Sequence, residues 1–351
     1  MRTKWISIVT AALACTLWSA QGAQTGPNKT LPLPDLSKGA LLRVAYVENP
    51  RFAPLSEAQI GAILAQSVSA MKQHFAVDVR FSPPTRLPIA PLFAAISARR
   101  RAAAESARLD PTADAPTQER LARTLLDDVR VDGDINALKK FAAPHLLAPP
   151  ADNTPLAFAR AVIATQHSLL RAWRDTPAAD GKPLLGTDRY NEYNFWLALG
   201  DTDLPYEIII TNQLIASAEL SGNSVHSALR GGVSNGITSQ NRKGRYSLVS
   251  VVSSYPFLDR SKHAVKLRGG DAPGTDDANL YMGLMLAHEL GHQLLHLGHP
   301  FGNSNCLMTP PNQLEFRVWA QALSPSRCAL ASNPANTPGV VKFALPETLF
   351  K

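Results

Sequence analysis

Cysteine is scarce in this chain of 351 residues: there are three, and none falls between residues 24 and 305. After removal of an N-terminal leader only Cys306 and Cys328 are left. In an oxidising compartment they can pair; the alternative is two free thiols. An apolar run free of ionisable residues and long enough to span a membrane is also missing. The best is residues 5–18, about fourteen mostly apolar residues, where a membrane span needs about 20. With Arg2 and Lys4 before it and the small Ala20 and Gly22 after it, this run reads as a secretory signal over residues 1–22. An uncleaved anchor and a lipoprotein built on Cys15 are the competing readings, the second on a poor lipobox. The expected location is secreted or periplasmic, with no stable membrane insertion after cleavage. Charge of one sign is modest: the full chain carries +7, and losing Arg2 and Lys4 leaves 33 basic against 28 acidic groups. That excess is too small and too dispersed to mark a nucleic-acid partner. The one sharp basic cluster, Arg99-Arg100-Arg101, has alanine-rich flanks and reads as a solvated helix face. No internal repeat, low-complexity tract or appended substrate-binding module is apparent.

Histidine, by contrast, is concentrated. Four of the nine, His288, His292, His296 and His299, lie within twelve residues at the end of an apolar stretch, 280–297. His288-Glu289-Leu290-Gly291-His292 reads H-E-x-x-H. On a helix, residues four apart share a face one turn apart, so two imidazoles can grip one zinc ion. The glutamate between them can then reach a water activated by the ion. The bland alternative is a core helix with structural histidines, but an apolar ladder seldom carries several ionisable groups without partners.

Downstream come His299, Pro300 and the run Cys306-Leu307-Met308-Thr309-Pro310. Together with the helix motif these residues resemble the metzincin clan of zinc peptidases, whose pattern is H-E-x-x-H-x-x-G-x-x-H followed by a tight turn containing methionine. The resemblance covers roughly residues 275–325. It implies His288, His292 and His299 as zinc ligands, Glu289 as general base and Met308 as the floor of the site. It implies hydrolysis of a peptide or protein substrate, with Glu289 returning its proton to the leaving amine. With no cysteine before residue 306 in the mature chain, an inhibitory cysteine-switch propeptide is not expected.

The spacing departs from the family pattern at one point. The family glycine falls at Leu295 here, and Gly298-His299 comes one place late. Leucine in the left-handed turn that this glycine makes would cost about 1–2 kcal/mol. A helix running on to Gly298 is the alternative, and the chain must then fold back sharply to bring His299 to the metal. Two residues compete with His299. His296 shares the helical face of His288, although about 12 Å of straight helix separates them. Glu315, in an apparently helical stretch 313–323, would give a thermolysin-like ligand set.

The layout implies an α+β fold: a zincin-like mixed sheet with an active-site helix, a helical insertion and a small C-terminal subdomain. Residues 23–40 read as a linker and 41–82 as the N-terminal part of the catalytic domain. In the latter, 41–47 and 77–81 are strands flanking an amphipathic helix, 56–75, that opens Ser56-Glu57-Ala58-Gln59 like a capping box. Residues 83–200 read as the insertion, with helical stretches near 91–108, 117–128 and 155–173; as a substrate cover or a simple brace it fits equally well. Residues 201–351 complete the catalytic domain, with strands at 206–211 and 246–253, a glycine-rich loop at 221–243, and the active helix from about Asp276. In metzincins the edge strand before the active helix pairs with substrate. Residues 246–253 could take that role or be an ordinary internal strand. Tyr246 and Tyr255 are open as oxyanion partners. The competing function is a non-catalytic, zinc-stabilised binding protein of the same fold.

Overall fold

The computed structural model describes residues 29–30, 32–106, 115–127, 135–178, 180–185, 189–216, 229, 231–235, 249–325, 328–332 and 337–341. The expected signal, residues 1–22, and Tyr246 lie outside them.

The strands are β1 (Lys29–Thr30), β2 (Ala40–Leu42), β3 (Val44–Glu48), β4 (Val79–Phe81), β5 (Thr85–Pro88), β6 (Ile208–Thr211), β7 (Gly232–Asn235), β8 (Val249–Ser253) and β9 (Val340–Val341). The helices are α1 (Glu57–Phe75), α2 (Ile89–Ala94), α3 (Ala98–Ser106), α4 (Ala115–Asp127), α5 (Ile135–Ala142), α6 (Pro155–Asp175), α7 (Tyr193–Ala198), α8 (Tyr255–Leu258), α9 (Lys262–Leu267), α10 (Thr275–Leu295) and α11 (Phe316–Ala322). Five strands form the central sheet in the order β5-β3-β6-β8-β7; the first four run parallel and β7 is antiparallel to β8.

Side-chain alternation sorts this sheet between two apolar layers. Val44, Tyr46, Ile208, Ile210 and Val252 face a core built from α1 and α10, with Ile60, Ile63, Met71, Leu286 and Leu290. Ala45, Val47, Ile209, Val249 and Val251 face the other way, onto Leu92 and Phe93 of α2 and Phe195 and Trp196 of α7. A parallel sheet covered on both faces needs strands that are apolar throughout, which the Ile208-Ile209-Ile210 run supplies. The mixed α and β character expected from the sequence is therefore observed. Helix α1 begins with the expected capping box: Ser56 Oγ accepts from the Gln59 amide at 3.2 Å and the Gln59 side chain accepts from the Ser56 amide at 3.0 Å.

Several boundaries differ from the sequence reading. The single strand expected over 41–47 changes partners at Arg43: β2 pairs with β4, and β3 with β5 and β6. The facing break falls at Ser82-Pro83-Pro84, where proline has no N–H to continue a ladder. Because β5 belongs to the sheet and α2 and α7 cover its second face, the stretch 83–200 enters the main core at both ends. Residues 249–253 form an internal strand, not an edge. Among the described residues the edges are β5 and β7, and β7, the one beside β8, lies inside the stretch expected as a loop. Helix α11 starts at Phe316, while Gln313 adopts a positive φ of 47°. At the C-terminal side β9 pairs with β1, and the Gly339 amide donates to the Leu295 carbonyl at the end of α10. No helix among the described residues is long and apolar enough to cross a membrane.

Candidate metal centre

Helix α10 is buried on nearly every side, between α1, the strands β7 and β8, and α11. Asp276 and Asp277 in its first turn complement the positive end of the helix dipole. Near its other end it presents His288, Glu289 and His292.

The three imidazoles of His288, His292 and His299 come together. The Nε2 atoms of His288 and His292 are 3.1 Å apart, and those of His292 and His299 are 3.0 Å apart. The rings of His288 and His299 lie nearly parallel and both stand close to perpendicular to His292. Two Nδ1 atoms are committed elsewhere. His288 Nδ1 lies 2.8 Å from the Leu307 carbonyl, and His292 Nδ1 lies 2.5 Å from the Leu297 carbonyl. A carbonyl only accepts, so both Nδ1 atoms carry a proton and both rings turn Nε2 towards the same point. Three nitrogens each about 2 Å from a tetrahedral zinc would stand about 3.3 Å apart, close to the spacing here. The donor set therefore fits a borderline-soft ion such as zinc, and the two carbonyls fix ring tautomer and orientation. Among the described residues this is the group of His, Cys, Asp and Glu that could hold a metal.

His296 and Glu315 are not brought into this group. The His296 ring turns the other way, with Nε2 3.4 Å from the Pro32 carbonyl. Glu315 lies beside Gly269, just before α11. The atypical spacing also resolves. Helix α10 stops at Leu295, short of Gly298, and the left-handed residue is His296, with φ 53° and ψ 36°. Its amide donates to the His292 carbonyl and that of Leu297 to the Gly291 carbonyl, which ends the helix. The family places its left-handed glycine three residues before the third ligand, and His296 stands three residues before His299. The chain thus makes its left-handed turn at His296 and not at Gly298.

Below the helix, Met308 is fully buried, and its Sδ would be 2.4 Å from a Cβ placed on Gly291. The glycine inside the H-E-x-x-H motif lets the methionine pack against the helix between His288 and His292. The turn is fixed from outside: the Thr309 carbonyl accepts from the Trp319 indole at 2.7 Å, and Thr309 Oγ1 bonds the Pro300 carbonyl at 3.0 Å. Cys306 and Cys328 lie at disulfide distance, closing a loop that contains the turn and α11.

Sequence reasoning missed two neighbours. Edge strand β7 passes Glu289 at Gly232. Helix α5 and the single 3₁₀ turn after it, Ala143–His145, reach the loop that carries His299. There Phe141 packs on Phe301 at 5.2 Å, Phe301 packs on His299 at 5.6 Å, and His145 bonds Gln313 at 3.2 Å. The spacing of Ile135, Leu138 and Phe141 was the available signal, in a helix of eight residues interrupted by Lys139-Lys140. Tyr255 is buried edge-on to Phe52 and Trp173, and burial raises its pKa. No family model, no curated protein and no solved structure matches this chain.

Proposed function

We propose that this chain is a zinc metallopeptidase of metzincin-like type, acting in a secreted or periplasmic setting on peptide or protein substrates. The observation that carries the reading is the convergence of the three Nε2 atoms beside Glu289, with Met308 beneath them. His288, His292 and His299 would hold the ion. Three protein ligands leave one coordination position open, the hallmark of a catalytic rather than a structural site. Bound zinc supplies Lewis acidity: it brings the pKa of water in the open position towards neutrality and polarises a carbonyl oxygen.

The remaining roles fall to the chain. Glu289, next to the first ligand and buried to 4% exposure, takes a proton from the attacking water and passes it to the leaving amine as the C–N bond breaks. Leu307 and Leu297 hold the ligand rings in position through their carbonyls. Strand β7, outermost on its side of the sheet among the described residues, is where an extended peptide could lie beside Glu289. A sheet with its antiparallel edge strand next to the active helix also favours a zincin-like fold. The cysteine pair is in keeping with an oxidising compartment.

The test combines zinc stoichiometry with cleavage of a mixed peptide library by wild type and Glu289→Ala. One zinc per chain, cleavage by wild type and none by Glu289→Ala are expected. Stoichiometric zinc without any cleavage would favour a zinc-stabilised binding protein instead, and equal cleavage by both forms would remove Glu289 as base.

A further inference from the structure

We infer that Gly232 is a positioning residue for Glu289: the bare backbone of edge strand β7 forms the wall against which the carboxylate is held. This rests on the peptidase reading for its catalytic consequence, although the contact itself does not. A Cβ built on Gly232 would lie 2.2 Å from Glu289 Oε1, 2.6 Å from Cγ and 2.7 Å from Cδ. Real carbon atoms do not approach so closely. Only the carboxylate oxygen is at the free end of the side chain. The conflict with Cγ cannot be relieved by turning the carboxylate, and needs a new χ1 rotamer or a shift of strand against helix.

Neither escape is open at low cost. Glu289 is buried, on a helix whose neighbouring residues are themselves fully packed. Strand and helix are also tied to one another. Gly232 is the register partner of Val252 in β8, and the Ser253 amide donates to the Gly231 carbonyl at 2.9 Å. From the same β8, Ser250 Oγ bonds the Gln293 side chain at 2.7 Å, one helical turn beyond Glu289. These contacts set the distance between β7 and α10, and at that distance only glycine fits opposite the base. Gly232 opens β7, and close approach of another group is a standard reason to find glycine in a strand. The neighbouring Gly231 is a built-in control: a Cβ there would meet Phe257 and Met285 at 3.3 and 3.5 Å, and none of the atoms near it belongs to Glu289.

The test is a double-mutant cycle read first in stability and then in turnover. Gly232→Ala is made in wild type and in Glu289→Ala, which removes all three atoms in conflict. The expected result is a melting temperature lowered by several degrees in wild type and by less than about 1 °C in Glu289→Ala, a non-additivity proper to residues in contact. Equal losses in both backgrounds would overturn the inference, since the substitution would then act on the strand alone. This readout needs no activity. Where wild type cleaves peptides, Gly232→Ala is expected to lower kcat by about 100-fold, as a misplacement of about 1 Å can do. Zinc content and KM should stay within about threefold, and Gly231→Ala should stay near wild type. A Gly232→Ala enzyme with wild-type kcat would refute the positioning role while leaving the peptidase reading intact. A wild type that cleaves nothing would remove the peptidase reading but leave the stability cycle decisive for the contact.

Discussion

The left-handed residue at the end of α10 invites a substitution series at His296. A side chain with a Cβ pays about 1–2 kcal/mol for this backbone conformation, and glycine pays none. Histidine is among the residues that enter it more readily, and a β-branched residue is among those that resist it most. Comparing His296→Gly with wild type would mix two effects, because the change also removes a buried ring and its 3.4 Å approach to the Pro32 carbonyl. His296→Ala removes the same ring and keeps the Cβ, so the difference between Gly and Ala isolates the backbone. Glycine gains this advantage in the folded state and gives back about 0.4–1 kcal/mol through its greater freedom in the unfolded chain. The net difference should be about 1 kcal/mol in favour of His296→Gly. For a domain of this size that is about 2 °C in melting temperature, measured on chelator-treated protein so that metal binding does not contribute.

Zinc binding supplies the second readout. The turn at 296 carries Leu297, whose carbonyl orients His292, and then His299 itself. His296→Gly should keep one zinc per chain with affinity within about threefold of wild type. His296→Val should weaken zinc by about 10-fold or more, the scale of losing a group that orients a ligand. A His296→Ala variant as stable as His296→Gly would show that the left-handed strain is not the controlling term. Loss of zinc in His296→Gly would show that the ring, and not the backbone, serves the site.

Three other perturbations follow from the same geometry. Replacing Cys306 and Cys328 by serine should cost about 3 kcal/mol by loop entropy, and thiol titration of the denatured, unreduced wild type should find no free thiol at these positions. Gly291→Ala drives a Cβ onto Met308 Sδ. A loss of about 1–3 kcal/mol, typical of overpacking, together with weaker zinc binding is expected; unchanged zinc affinity would remove Met308 as a support of the site. Burial lowers the pKa values of His74, His145, His263 and His296, so each resists protonation in the folded state. Their contribution is complete above the unfolded value of about 6.5 and is lost as pH falls below it towards the lowered folded values. Chelator-treated protein should therefore melt at a lower temperature at about pH 5.5 than at about pH 7.5, less steeply in His74→Gln, and a flat profile would contradict the assignment.

Much of this was legible because the relevant physics is local. Four-residue spacing places His288 and His292 on one helix face whatever the fold. The capping box at Ser56 is a four-residue signal, and the Ile208-Ile209-Ile210 run needs only burial on both faces. The parts that were not legible depend on a distant partner. Gly232-Val233-Ser234-Asn235 has the composition of a loop, and pairing with β8 makes it a strand. The break at Arg43 follows from which strands lie alongside it. Glycine is the usual left-handed residue, so Gly298 looked like the end of α10, while the bonds that close the helix place the turn at His296.

Two of those misreadings, at His296 and at Gly232, lie at the site. A histidine in a left-handed turn, a glycine inside a strand and a carboxylate buried on an apolar helix each break a local rule, and all three border the three histidines. Proteins keep such violations chiefly where function requires them. A purely structural zinc site has no use for Glu289, and burying its carboxylate would only cost stability. Nor would such a site need a glycine on the strand opposite to make room for that side chain. On the proposed peptidase reading the glutamate and the glycine that accommodates it have a shared use, which a purely structural zinc site does not give them. The stability cycle between positions 232 and 289 tests whether the fold reserves that space, and the turnover of Gly232→Ala tests whether the reserved space serves chemistry.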